Sequence, residues 1–581
     1  MKYFSLFIFF SIFFVSLSFK CGYNEIKKPE IKIINETENI DSKRRKLSST
    51  HNIDIYIDYE ILKSQVSSRE ITSSYYNNLA SALNLTINYI SKLLIVNNVK
   101  QIYLSSEIFY DSEDYIIKSE VNDIVSKTIS TDLILIPKIF YIDENVDAAA
   151  YPIASSAINN RPICGGILLG KHYNFTKTNA QPYLIMLLLH EITHVLGFSS
   201  SLFELFQTYS SLIKTKTVNG LKRTLFTGPN VIKQAKRHFN CDNIEGIELE
   251  NQGDDGSVGS HWEARIMLGD YMISIDYPEI VISEISLALL EDSGWYNVNY
   301  YTGGLFRYGK GLGCDFLNNK CVSEGKSNYE REFCDVENEE RCTSGFIDRG
   351  LCYISNYPYL PEYYRYFNDT TKGGFYYADY CPVTLTDSNY YYYYYFYSRC
   401  DFNGLNFNNL PSEYGEIYGP NSICVLSSLI PSTNNDQFNS EVYTKKRARC
   451  HKVISCDSKS RTFILNIGDT LLNCSGNYEE IRVDGYSGSI ICPDYNRVCT
   501  GSVWCNDPLI CIEKQSLYDE SLGNGTGTGT GSGSGSGTEK SEKQIDEDYL
   551  NKNETYLKID CGKKCNVSFY VLISIIICLL L

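Results

Sequence analysis

A pair of histidines four residues apart, with a glutamate directly after the first, is where this sequence is best equipped for chemistry. His190, Glu191 and His194 lie in Gln181-Pro-Tyr-Leu-Ile-Met-Leu-Leu-Leu-His190-Glu191-Ile-Thr-His194-Val-Leu-Gly197. Residues at this spacing lie one above the other on a helix, so two imidazoles would reach a single point at metal-ligand spacing. Zinc held there would lower the pKa of a bound water towards 7 and polarise a carbonyl, with Glu191 carrying the water's proton to a leaving amine. The chemistry implied is peptide hydrolysis without a covalent intermediate. With 7 His and 69 acidic residues in 581, chance placement yields about 0.01 matches to His-acid-x-x-His, so the pattern is specific.

The element that must carry these residues is a helix. Pro182 suits a first turn, the following residues are strong helix formers, and Gly197 supplies a stop. With Leu on nearly all sides the helix should be buried, a poor setting for two histidines and a glutamate unless something satisfies them. A catalytic zinc generally takes three protein ligands and keeps one open position. After Gly197 the chain reads Phe198-Ser-Ser-Ser-Leu-Phe203, without a histidine. The third ligand must therefore come from His51, His172, His238, His261 or His451. His261 lies in Gly256-Ser-Val-Gly-Ser-His261-Trp262-Glu263 and precedes Met272, whereas His238, in Lys236-Arg-His-Phe-Asn-Cys241, is its rival.

Taken together, His190-Glu191-x-x-His194-x-x-Gly197-Phe198, Gly259-Ser260-His261-Trp262 and Met272 resemble the leishmanolysin family of metzincin peptidases. That family carries HExxHxxGF, an insertion of several tens of residues, a third histidine in a G-S-H-W context and then a methionine. The flanking Gly246-Ile-Glu-Leu-Glu-Asn-Gln-Gly253 and Leu287-Ala-Leu-Leu-Glu-Asp-Ser-Gly-Trp295 fit the same resemblance, which runs from about residue 50 to 510 and is strongest between 160 and 316. It implies an α+β, metzincin-like zinc peptidase core, a mixed sheet with an active-site helix, followed by a disulfide-rich C-terminal domain. It further implies His261 as third zinc ligand, Met272 as a hydrophobic floor beneath the metal, and Gly197 as the place where the chain turns sharply away. Arg161 to Leu169 would by the same likeness be an edge strand that pairs with extended substrate; from the residues alone an internal strand fits equally well. Cys21 would be placed to occupy the open zinc position from a pro-segment, although the histidines that accompany the family's pro-segment cysteine are lacking.

The rest of the chain sets the organisation. A formal charge of -16 gives nucleic-acid phosphates nothing to bind, so no nucleic-acid partner is expected. Fifteen of the 21 cysteines fall between Cys314 and Cys511, which reads as a disulfide framework made in an oxidising compartment. The sequons at Asn35, Asn84, Asn174, Asn368, Asn473, Asn524, Asn553 and Asn566 permit glycosylation there. Residues 1–19 read as a signal peptide and 20–46 as a possible short pro-segment ending at the basic cluster Lys43-Arg44-Arg45-Lys46. Residues 47–197 form an N-terminal subdomain with the active-site helix, its first strand spanning Ile53 to Leu62. Residues 198–313 form a central subdomain supplying His261 and Met272, and 314–511 the cysteine-rich domain, in which Cys492, Cys499, Cys505 and Cys511 suggest a small bridged module. Tyr390 to Tyr397 reads as a strand with alternate rings buried. A Gly/Ser/Thr-rich and charged stalk covers 512–566, and 567–581 is an apolar tail too short to span a bilayer as a helix, which suits a GPI-type lipid anchor or a short hydrophobic tail in the membrane. The expected activity is zinc-dependent endopeptidase action on protein or peptide substrates; the competing readings are an adhesin on an inactive protease scaffold and a cysteine-rich surface receptor.

Overall fold

The computed structural model describes residues 31–34 and 50–499, except 98–100, 110–114, 117, 141–146, 172–180, 208–211, 219, 254–256, 276, 278, 301–305, 386–397, 402–413, 420, 433–445, 458 and 477. Cys21, the 43–46 basic cluster, the 390–397 tyrosine run, the stalk and the apolar tail lie outside this set, as does His172. All described residues belong to one unit, Met1–Pro508. Among them no helix is long and apolar enough to cross a membrane.

The architecture is α+β. Its N-terminal half is a five-stranded mixed sheet made from β1 (Lys32–Ile34), β2 (Ile55–Ile57), β3 (Leu133–Phe140), β4 (Ala148–Ser156) and β5 (Pro162–Gly170), in the order β1-β4-β5-β3-β2. β2, β3 and β5 are mutually parallel neighbours, β4 runs antiparallel to β5, and β1 joins β4 in parallel. β4 and β5 are buried along their whole length, matching their runs of Ala, Ile, Leu and Gly without polar alternation. β5 therefore lies inside the sheet, with β3 on one side and β4 on the other, and is not a substrate-pairing edge. Its apolar character reflects cover on both faces.

The strand expected over Ile53 to Leu62 is shorter than its pattern. Only Ile55–Ile57 is extended, because the Asp58 carboxylate accepts the Glu60 N–H at 3.1 Å and starts a helix, α1 (Glu60–Ser67). Ile61 and Leu62 are buried from that helix instead. α2 (Ser73–Leu93) follows, capped by Thr72, whose hydroxyl accepts from the Tyr75 N–H.

α3 (Gln181–Leu196) packs against β4, β5 and α2. Its approach to the sheet depends on Gly165: a Cβ there would come within 2.4 Å of Val195 Cγ1 on α3. A bare strand backbone at this point lets the histidine-bearing helix settle on the sheet. Beyond it lie α4 (Pro229–Phe239), α5 (Ala264–Met267) and α6 (Glu284–Asp292). The Asp292 carboxylate accepts the Asn230 and Val231 N–H groups at 2.9 and 3.0 Å, so α6 caps the open N-terminus of α4.

The C-terminal half is built on a six-stranded antiparallel sheet in which Ser422–Ser427, Arg447–Asp457 and Thr462–Ile467 are consecutive neighbouring strands. Seven disulfides occur among the described residues, six of them wholly within 321–499. Cys492 and Cys499 pair back to Cys474 and Cys456 on the sheet, so they do not close a separate module with each other. Cys164 is a free buried cysteine on β5. The seventh bridge, Cys241–Cys314, closes a sequence separation of 73 residues from the end of α4. Replacing both cysteines by serine should cost about 4 kcal/mol, since a loop of that length gains much entropy when released in the unfolded chain. Urea unfolding of the double variant measures it, and a loss below about 1 kcal/mol would show that the bridge is redundant.

His451 sits in this sheet, fully buried, with its Nδ1–H donated to the Gly415 carbonyl at 3.0 Å. Burial pushes its pKa down to about 4 from an ordinary 6.5. Because the folded value is the lower one, the contribution of a neutral His451 to stability is complete above pH 6.5 and is lost as pH falls towards 4. The lost stability is about 3 kcal/mol. His451→Gln should remove this acid sensitivity, so the stability gap between wild type and variant narrows between pH 7 and 4 in denaturant titrations. A gap independent of pH would rule out the linkage.

Candidate metal centre

α3 ends in two converging imidazoles. His190 and His194 are buried on one face of α3, with ring centroids 4.8 Å apart. Their Nε2 atoms are 3.1 Å apart. The third ring is that of His261, whose Nε2 lies 3.2 Å from that of His190 and whose ring stacks on it at 5.2 Å. Ligand atoms of the three histidines all lie within 4.8 Å of one another, the group of metal-capable residues found among the described residues.

Each imidazole is oriented by a backbone carbonyl. His190 donates Nδ1–H to Tyr271 O at 2.6 Å, His194 to Phe198 O at 2.6 Å, and His261 to Ser257 O at 3.2 Å. With the proton on Nδ1, each neutral ring carries a lone pair on Nε2. Three lone pairs thus face one point at hydrogen-bonding range, with no proton between them. Burial holds the His190 pKa down to about 4, so this ring is neutral near pH 7. Such an arrangement is repulsive on its own and fits a cation: tetrahedral corners 2.0–2.1 Å from zinc would stand about 3.3 Å apart. The donor set is all nitrogen, as zinc accepts.

Glu191, fully buried, follows His190 on α3 and is rotated by about 100° around the helix axis from it, beside the imidazole pair. Phe198 and Trp262 pack edge to face at 4.8 Å, joining the residue after the helix stop to the residue after the third histidine. The helix stops at Leu196, where Gly197 is expected to end it; Gly197 donates to Thr193 O at 3.1 Å and its backbone is not left-handed. What glycine supplies here is room: a Cβ would come 3.2 Å from Leu290 of α6.

His261 is held by a short ladder. Glu250 N–H donates to His261 O, Glu263 N–H to Glu248 O, and Trp262 N–H to Met272 O, at 2.9, 3.0 and 2.9 Å. Met272 is fully buried in the same loop as Tyr271, the residue that orients His190. The orienting carbonyls of Tyr271, Phe198 and Ser257 carry no sequence signal, because any residue type presents a carbonyl. Tyr271 could have been suspected only through its neighbour Met272. The rival His238 lies elsewhere, its Nε2 bonded to Tyr308 O at 2.8 Å and its ring stacked on Phe306. His51 is bonded to Asp132 at 2.8 Å, and His451 to Gly415.

Comparison with known proteins agrees with this geometry. The chain is 28% identical over 328 residues to a leishmanolysin homolog of Crithidia fasciculata, covering 54% of this chain and 47% of that protein. It is 28% identical over 406 residues to a leishmanolysin-like peptidase of Drosophila pseudoobscura pseudoobscura, covering 58% of each. With leishmanolysin of Leishmania major it shares 26% identity over 323 residues, 54% of this chain and 51% of that one. The chain thus spans about half the length of the curated relatives it matches. The leishmanolysin family model, peptidase family M8, matches residues 84–505, a span that contains α3, the His261 ladder and all seven disulfides. On that match, the chain belongs to the leishmanolysin family.

Proposed function

We propose that this protein is a zinc-dependent endopeptidase in which His190, His194 and His261 hold the metal and Glu191 is the general base. The observation that carries the reading is the convergence of three Nε2 lone pairs, each directed by an Nδ1–H bonded to a backbone carbonyl. Zinc bound there would acidify a water and polarise the scissile carbonyl. Glu191 would take the proton of the attacking water and return it to the amine as the C–N bond breaks, which suits a carboxylate beside the ligands on the same helix. Burial keeps bulk water from the reacting groups and strengthens the charge interactions among them. Met272 would close the apolar floor under the imidazoles, a role its complete burial in the Tyr271 loop supports.

Substrates would be proteins or peptides, as for peptidases of this family. Seven disulfides among the described residues support maturation in an oxidising compartment, consistent with a signal peptide at 1–19. Delivery to the cell surface, with a stalk over 512–566 and attachment through the apolar 567–581 tail, completes the proposal, as does division of the folded body at about 197 and 313.

The test is digestion of casein by the purified protein with and without a zinc chelator. Activity should fall to background on chelation and return with added Zn2+. Proteolysis that survives complete metal removal would exclude the reading.

A further inference from the structure

The ladder carrying His261 is tied at its open end to the disulfide-bonded C-terminal half: Gln252 Nε2 donates to the Tyr364 hydroxyl at 2.6 Å, Gly253 N–H to the Tyr376 hydroxyl at 3.1 Å, Arg265 lies 3.7 Å from Asp379, and Asn251 joins this set through its amide. Asn251 directly follows Glu250, the residue whose N–H holds the His261 carbonyl. Its amide Nδ2 donates both protons to carboxylates: to Glu263 Oε2 at 2.7 Å and to Asp379 Oδ1 at 3.1 Å. Its Oδ1 accepts from Gln252 Nε2 at 3.0 Å. Glu263 stands two residues beyond His261 and caps α5. The Asn251–Glu263 bond therefore closes the two strands against each other just past the third imidazole.

Asp379 comes from 128 residues further along the chain and is itself held from several sides. Its Oδ1 also accepts from Tyr364 at 3.0 Å, and its backbone carbonyl from the Tyr366 hydroxyl at 2.9 Å. It is nearly fully buried. Asp379 and Tyr380 both adopt left-handed backbone conformations, φ 53° and 57°, immediately before Cys381, which is bonded to Cys321. Two consecutive non-glycine residues in that region persist only where the surroundings over-determine them. The carboxylate is thus presented to Asn251 from a rigid, disulfide-anchored turn.

We propose that Asn251 and Asp379 are positioning residues for His261, through which the C-terminal half sets the geometry and affinity of the metal centre. The inference rests on the zinc reading above. Partners that orient a metal ligand at one remove typically alter metal affinity ten- to a hundredfold when lost.

The experiment is competition for Zn2+ between a chromophoric chelator and the intact protein, with folding checked by circular dichroism. Asp379→Ala and Asn251→Ala should bind zinc ten- to a hundredfold more weakly than wild type. Asp379→Asn keeps an oxygen acceptor for Asn251 and Tyr364 and should stay within a fewfold of wild type. As a control, the double variant Cys474→Ser, Cys492→Ser loses a bridge in the six-stranded sheet, away from this network, and should keep wild-type affinity although less stable. If Asp379→Ala does not fold, Asn251→Ala, which leaves Asp379 bonded to Tyr364, decides alone. Wild-type affinity in the folded alanine variants would overturn the inference while leaving the zinc reading standing. Equal loss in the disulfide control would overturn it too, by tracing the effect to general destabilisation. A wild-type protein that binds no zinc would instead overturn the reading on which it rests.

Discussion

Glu191→Gln should lower kcat on a peptide substrate by about a thousandfold while zinc content stays at the wild-type level. Glutamine matches glutamate in shape and lies equally buried on α3, so the fold and the three imidazoles are undisturbed. What it cannot do is accept a proton from water at neutral pH, and a positioned general base contributes roughly 10²–10⁴ in rate. The interaction is made in the transition state, so kcat and kcat/KM should fall together with KM nearly constant. Steady-state kinetics on a quenched fluorescent peptide, paired with metal analysis, reads both quantities. A variant within tenfold of wild type, still carrying zinc, would remove Glu191 from the role of base.

His261→Ala should lose bound zinc altogether on dialysis, with proteolysis falling to background. The substitution takes one of three nitrogen donors from the site and leaves the two imidazoles of α3. Zinc sites that catalyse keep three protein ligands, and removal of a direct ligand should weaken affinity by well over about a hundredfold, the upper range for partners that only orient a ligand. His238→Ala supplies the contrast. That ring is bonded to Tyr308 O and stacked on Phe306, so its loss should lower stability without touching metal content. Retention of stoichiometric zinc by His261→Ala, or its loss by His238→Ala, would reverse the assignment of the third ligand.

Much of the site was legible before the fold was known, because a helix converts spacing into geometry. His190 and His194 at a separation of four, Pro182 in the first turn and the leucine run between them need no tertiary information to define a buried helix with two imidazoles on one face. The cysteine density likewise implied the disulfide framework now seen in the C-terminal half. The choice of His261 came through resemblance, since nothing local distinguishes it from His238.

Other features could be decided only by the folded chain. Periodicity does not say which neighbours a buried strand acquires, so Pro162–Gly170 could be edge or interior until its pairing with Leu133–Phe140 and Ala148–Ser156 was known. Gly197 signalled the helix end that follows Leu196, but the need for bare backbone beside Leu290 depended on where α6 came to lie. The pattern over Ile53 to Leu62 reads as one strand because alternation continues past the point where the helix begins at Glu60, whose N–H the Asp58 carboxylate accepts. Cysteine positions cannot disclose pairing, and Cys492 and Cys499 reach back to sheet strands rather than to each other. The sequence by itself determined which side chains could bind a metal on one helix. Tertiary structure alone decided the orientation of those rings and the identity of what holds them, because both depend on backbone carbonyls and on contacts between residues up to 128 positions apart, which carry no residue-type signal.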